Sequence, residues 1–450
     1  MRGAASLLVA LGLASCAASP LARRWTADGR VIEVQHRMGM AAVSVDGVRG
    51  QWLRSIAVNG MSMSSNGAHL AYAARVEGQH VIFDGPATSA GTRVERAGAP
   101  FDEVGPPVVA ADGTVAYAAR RGHATRVVIR RVGVERAGPR TCGATGIALS
   151  SDGRHVAYLA TLCGGRGVAV VRDHRLGAPA EAVAQFAVAA QGAALRTAAI
   201  VRSARGWHVD LDGARSGPFD AVGNIAFSDD GRHAGAMVRD RTGWHVARHY
   251  DGQLTRVAGP FVALRPETLG VLDDGAIVAA AVTVDGDQLI RAAQVVSALG
   301  PHRAQVRRVA TAGATVAFVA EEPNRETVYL NATPVAVVAQ VHDLALAPDG
   351  RLVISVMEGA HERVVLVRPG GVDRWRLAHP LIAGTLGLSP NGWNALAVTG
   401  ASAALVPVQD GALREPLADA DRRLLLGPWG PRSGPALRSA VAALATARGR

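Results

Sequence analysis

Lysine is missing altogether: all 48 basic residues of this 450-residue chain are arginine. That absence rules out a Ser-x-x-Lys nucleophile, and no Gly-x-Ser-x-Gly elbow stands in its place. Aromatic side chains make up only 4% of the chain, so a core must be built from Ala, Val, Leu and Ile. There are three cysteines and no Cys-x-x-Cys spacing, which argues against a thiolate metal site. Helix signals are nearly absent, so no glycine-rich loop opens a helix to cradle phosphate. The compact Ser151-Asp152-Gly153 turn lacks the spacing of a sialidase Asp-box, and the seven Trp do not recur at a fixed position as a quinone-cofactor propeller needs.

What the chain does have is one unit written many times. Its clearest copy, Gly146 to Thr161, reads as an apolar run, an Asp-Gly turn and a second apolar run. Val156, Tyr158 and Ala160 fall on one face of the second run, Ala157 and Leu159 on the other. Both faces are apolar, so this strand is expected between two neighbours. The turn glycine recurs at Gly29, Gly67, Gly113, Gly153, Gly192, Gly231, Gly275, Gly313, Gly350 and Gly392, at steps of 37 to 46 residues. A second turn follows in most units, at Gly47, Gly85, Gly133, Gly213, Gly252, Gly371 and Gly411. Two turns per unit and a period of about 40 residues specify a four-stranded meander repeated as propeller blades.

The wording of the turns, Ala347-Pro348-Asp349-Gly350, Ser389-Pro390-Asn391-Gly392, Ser151-Asp152-Gly153 and Asp229-Asp230-Gly231, resembles the WD40-like repeats of TolB-like β-propellers. The resemblance runs over roughly residues 25–430 and implies an all-β fold of four-stranded antiparallel blades. Such propellers serve as scaffolds, binding modules and accessory domains of enzymes, so the likeness speaks for fold far more than for task. A single ring of eight to ten blades is expected, with two smaller propellers as the alternative.

Residues 1–16 read as a targeting segment, with Arg2 ahead of the apolar stretch Ala4 to Leu13. Leu13-Ala14-Ser15-Cys16 resembles a bacterial lipobox, which implies a lipid on Cys16, and Ala17 after it favours the outer membrane. Residues 17–24 would then be a short tether, 25–430 the propeller and 431–450 a tail. In that tail Leu437, Val441 and Leu444 repeat at helical spacing. Val31–Val34, Ala41–Val45 and Gln51–Ile56 look like three strands short of an inner partner. The distant run Arg423 to Gly427 is a candidate to supply it and close the ring.

Cys142 and Cys163 lie ten or eleven residues either side of the Asp152-Gly153 turn and are expected to pair in an oxidising envelope. The fourteen His recur at equivalent places, as a repeat consensus would put them, so no metal and no cofactor are expected. Pro100-Phe101-Asp102 and Pro218-Phe219-Asp220 are read as a Phe plug with an Asp turn cap. The net charge is +11, and Arg120, Arg121, Arg126, Arg130, Arg131 and Arg136 crowd one unit with only Glu135 opposing. These form a candidate patch for an anionic glycan, lipid or protein, and nucleic acid is excluded for want of an aromatic platform. The expectation is a cell-envelope lipoprotein whose propeller is a non-catalytic platform for another envelope protein. Its alternative is a glycan-binding or glycan-processing propeller with a site in the central channel.

Overall fold

The computed structural model describes residues 22–25 and 31–413, with short breaks in the second span, the longest at 88–94 and 299–304. Among the described residues the strands form ten antiparallel meanders, at 22–49, 55–97, 103–137, 143–176, 182–219, 221–261, 263–298, 305–338, 340–376 and 387–413. They are blades 1 to 10 below. Each holds four strands in chain order, and blade 3 adds the short Glu103–Val104 against Val115–Arg121. The fold is a β-propeller, with a blade count at the top of the expected range. The segments 1–16, Arg423 to Gly427 and 435–450 lie outside the described residues.

Three local expectations need correction. The inner strand of blade 1 is Ala22–Trp25, paired with Val31–Arg37, so the first blade finds its partner next door in sequence. Ile56, read as part of an outer strand, belongs to Ser55–Met63, the inner strand of blade 2. Gly85 is no turn either, because it sits inside Gln79–Pro86 opposite Leu70. The charged Ala-Arg-Arg-Trp run does not announce a strand, since its partner supplies the apolar pattern.

A meander with two apolar faces cannot bury both alone, so the core lies between blades. Val156, Tyr158 and Ala160 pack with Ala116 and Val127 of blade 3. On the other face, Val170 and the half-buried Leu159 meet Ala199 and Val201 of blade 5. The same slab recurs between blades 5 and 6 around Ile200 and Ile225, and between blades 8 and 9 around Val319 and Ile354. Each fully buried Val, Leu or Ile contributes about 1.5–3 kcal/mol.

The Asp-Gly turns build their own caps. Ser150 Oγ donates to Asp152 Oδ1 at 2.6 Å, Arg154 N–H donates to the same oxygen, and His155 N–H donates to Ser150 Oγ. Ser228, Asp230 and His233 repeat the arrangement. Gly153 has φ +66°, and a Cβ there would lie 2.4 Å from Thr114 Oγ1 of blade 3. Only glycine satisfies both the turn and its neighbour. The Cys142–Cys163 disulfide is present, with Cα atoms 5.0 Å apart. Cys142 N–H donates to Thr161, so the bond ties the strand ladder just past its open end.

Consecutive blades are also clasped by hydrogen bonds where each third strand begins. In blades 2, 3 and 4 the clasp is backbone to backbone, as in His80 with Phe101 and Thr125 with Thr141. In blades 7, 8 and 9 a buried carboxylate reaches the amide that enters the next blade: Asp287 to Val306, Glu326 to Val341 and Glu362 to Leu381. Arg307 supplies the counter-charge for Glu326 at 2.8 Å. Phe101 packs edge-on against Tyr117, and Asp102 accepts from Gly122 N–H at 2.6 Å, so the plug and cap roles hold for Phe101 and Asp102.

The histidines serve packing. A Cβ on Gly113 would lie 2.7 Å from His69 Nδ1, and one on Gly275 would lie 2.9 Å from His233 Nδ1, so each ring sits on the next blade's turn. Burial lowers the pKa of His208, helped by Arg215, and of His249, helped by Arg196. Burial also lowers that of His174, with Asp173 opposing.

Two outcomes follow from this packing. Glu326→Ala leaves the Val341 N–H without its acceptor and Arg307 with Glu321 alone, at 3.4 Å, and is expected to cost about 3 kcal/mol in urea denaturation, with Glu326→Gln milder. Between the lowered native values and about 6.5, the unfolded chain binds protons that the native imidazoles refuse. Stability therefore falls as pH drops through that window. The urea midpoint should be lower at pH 5.5 than at pH 7.5, with the gap narrowed by His208→Gln and His249→Gln together.

Candidate functional site

Blade 3 carries the arginines on two faces, because successive side chains of a strand point to opposite sides. In Ala124–Arg131, Arg126, Val128 and Arg130 face blade 2, while Arg131 faces blade 4. Arg130 is buried at 2% exposure and ion-paired to Asp84 of blade 2, with its Nη2 donating to the Arg96 carbonyl at 3.0 Å. Burial lowers its pKa, opposed by Glu135. Arg120 pairs with Glu103 at 2.7 Å, and Arg131 with Asp112 at 3.3 Å. Of the six candidate patch residues, then, Arg120, Arg130 and Arg131 are answered from within the protein, and Arg136 faces blade 4.

Arg121 and Arg126 come together with a further arginine that lies beyond the cluster in sequence. Arg121, Arg126 and Arg140 line a groove of about 560 Å³ between blades 2 and 3, over a floor of Phe101, Ala119 and Val128. Arg121 donates to the Pro100 carbonyl at 2.8 Å and lies 5.1 Å above the Phe101 ring. Arg126 and Arg140 are exposed and have no ion-pair partner among the described residues. Glu135, the acidic group in the wall, is already engaged: it accepts from Ala99 N–H at 3.1 Å and from Tyr117 Oη at 3.2 Å, and lies 3.8 Å from Arg130. Burial, then the Glu135 charge, pushes the Tyr117 phenol far up, so it remains a donor. The groove presents unsatisfied positive charge above an apolar floor, an arrangement suited to binding carboxylates in paired hydrogen bonds.

Two further constellations are structural. Ser203 Oγ lies 2.9 Å from His208 Nε2, the distance of a nucleophile–base pair. Blade 6, however, repeats the ring as His245 with Thr242 and Asp240 in the place of Ser203. Both rings press on a glycine of the following strand, Gly217 and Gly259, so the pair is a peg of the repeat. Along the inner strands, Gln185 bonds to Ile225, Asn224 to Pro266 and Asp343 to Leu386, so these polar groups join one blade to the next. Among the described residues no three His, Cys, Asp or Glu side chains converge on one point.

No protein-family model and no curated protein matches the chain. Among solved structures it is similar to Porphyromonas gingivalis dipeptidyl peptidase 4, at 12% identity and TM-score 0.40 over 87% of this chain and 64% of that one. It is similar also to the β-propeller domain of the Trilobed protease from Pyrococcus furiosus, at 9% identity and TM-score 0.28 over 71% and 96%. Pyrococcus horikoshii acylaminoacyl peptidase gives 13% identity and TM-score 0.30 over 70% and 51%. The chain thus spans less than two thirds of the dipeptidyl peptidase and about half of the acylaminoacyl peptidase. The expectation of a purely non-catalytic platform is corrected to this extent: peptidases and a protease's propeller domain are among the similar structures. The likeness itself is one of fold.

Proposed function

We propose that the propeller recognises an acidic peptide segment in the groove between blades 2 and 3. The observation that carries this reading is the pair of unanswered guanidinium groups, Arg126 and Arg140, beside Arg121 over an apolar floor. A peptide with Asp or Glu side chains supplies carboxylates for the rim and aliphatic surface for the floor. A sugar would need an open ring to stack on, and the face of Phe101 is taken by Arg121. The lipobox-like Leu13-Ala14-Ser15-Cys16 supports a lipid on Cys16 and a place in the cell envelope, which would make the ligand a polypeptide of that compartment.

Titration calorimetry with a Glu- and Asp-containing peptide is expected to give binding that weakens as salt rises. Arg126→Ala with Arg140→Ala should reduce affinity at least about tenfold, as the loss of two charge-assisted contacts implies. Unchanged affinity in that double variant would sink the reading. For the anchor, the Cys16→Ser protein should leave the membrane fraction and fail to take up labelled fatty acid.

A further inference from the structure

The outer strand of blade 3, Val134–Ala137, separates two arginine-lined grooves. Glu135 and Ala137 face the groove toward blade 2, which holds Arg121, Arg126 and Arg140. Val134 and Arg136 face a second groove of about 480 Å³ toward blade 4, which holds Arg131, Arg136 and Arg154. There Arg136 has no ion-pair partner among the described residues, and Arg154 is only loosely paired with Asp152 at 3.6 Å.

The register fixes the direction of the backbone between the grooves. Arg131 pairs with Val134, Arg130 with Glu135, Ile129 with Arg136 and Val128 with Ala137, and Gly138 N–H donates to Val127. Hydrogen-bonded and non-bonded pairs alternate along an antiparallel ladder. Val134, Arg136 and Gly138 therefore bond inward, which leaves the N–H and C=O of Glu135 and Ala137 pointing away from the blade. Two outward amide groups two residues apart are what an incoming strand needs. Ala137 and Val134 are exposed, and the small Ala137 side chain leaves the edge open.

We propose that the acidic peptide of the preceding section joins blade 3 as an added strand along Val134–Ala137. This rests on that reading and specifies the ligand: its side chains alternate between the grooves, so two adjacent acidic residues place one carboxylate among Arg121, Arg126 and Arg140 and the other among Arg131, Arg136 and Arg154. An acidic pair separated by one residue fills only one groove and leaves either Arg136 or the pair Arg126 and Arg140 without a counter-charge.

The test compares short peptides of equal composition and charge, one with adjacent acidic residues and one with the pair a residue apart. It adds an N-methyl scan of the adjacent-pair peptide, with the full-length protein in each titration. The adjacent pair should bind about tenfold tighter, and methylation should weaken binding about tenfold at every second residue while sparing those between. Ala137→Pro removes an outward N–H and no ladder bond, so it should lower affinity similarly with an unchanged circular dichroism spectrum. If that variant misfolds, the methyl scan on the parent decides. Binding that depends on Arg126 and Arg140 yet shows no alternation in the scan overturns strand addition and leaves the groove reading standing. If neither unmodified peptide binds, the groove reading falls, and strand addition with it.

Discussion

Everything in this chain depends on the contact between one blade and the next. A four-stranded meander of Ala, Val, Leu and Ile has no interior of its own, and with 4% aromatics it has few large side chains to make one. Tyr158 is fully buried only because blade 3 covers it, and Leu159 is half-buried only because blade 5 does. Apolar contact is non-directional, so it does not by itself set the angle or height of one blade against another. The clasps at the third strands do. A backbone pair such as Thr125 with Thr141 fixes height through geometry, and Glu326 on Val341 N–H does so through a buried charge. The carboxylate version needs Arg307 beside it, since a lone buried charge would cost more than the clasp returns.

What was legible in the residues is what repeats locally. The Asp152-Gly153 turn, the two-sided apolar strand after it and the Cys142–Cys163 bond all follow from spacing within one hairpin. What was hidden depends on a partner supplied from elsewhere. Ala22–Trp25 is a strand because Val31–Arg37 lies beside it, although its own two arginines argue otherwise. Asp287, Glu326 and Glu362 look like solvent-facing charges at a strand start until the next blade's amide is brought to them. Gly85 reads as a turn by spacing, yet Leu70 across the ladder holds it in mid-strand.

The arginine cluster divides along the same line. Counting charges picks out blade 3, but counting cannot tell Arg130 from Arg126, four residues apart on the same face. Arg130 lies beside Asp84 of blade 2, 46 residues away in sequence, and is neutralised by it. Arg140 escaped notice because it follows Gly138-Pro139, beyond the end of the strand, where strand parity no longer applies. The groove is therefore a product of tertiary placement: one arginine of that face neutralised against blade 2, three left to line the groove.

Why such grooves open where they do follows from how the blades meet. The inner strands are drawn together by Gln185, Asn224 and Asp343, each spent on the backbone of the next blade. The grooves flanking blade 3 lie instead beside third and fourth strands, away from these inner-strand bonds. At that periphery, side-chain parity decides which strand residues each groove contains. In blade 3, parity sends Arg126 one way and Arg131 with Arg136 the other, so a single strand arms both sides of its own edge. A one-residue slip of Val134–Ala137 against Ala124–Arg131 would carry Glu135 out of contact with Tyr117 and turn its charge toward blade 4. The Tyr117–Glu135 hydrogen bond thus serves as the register lock for this edge, and the charge pattern of both grooves depends on it.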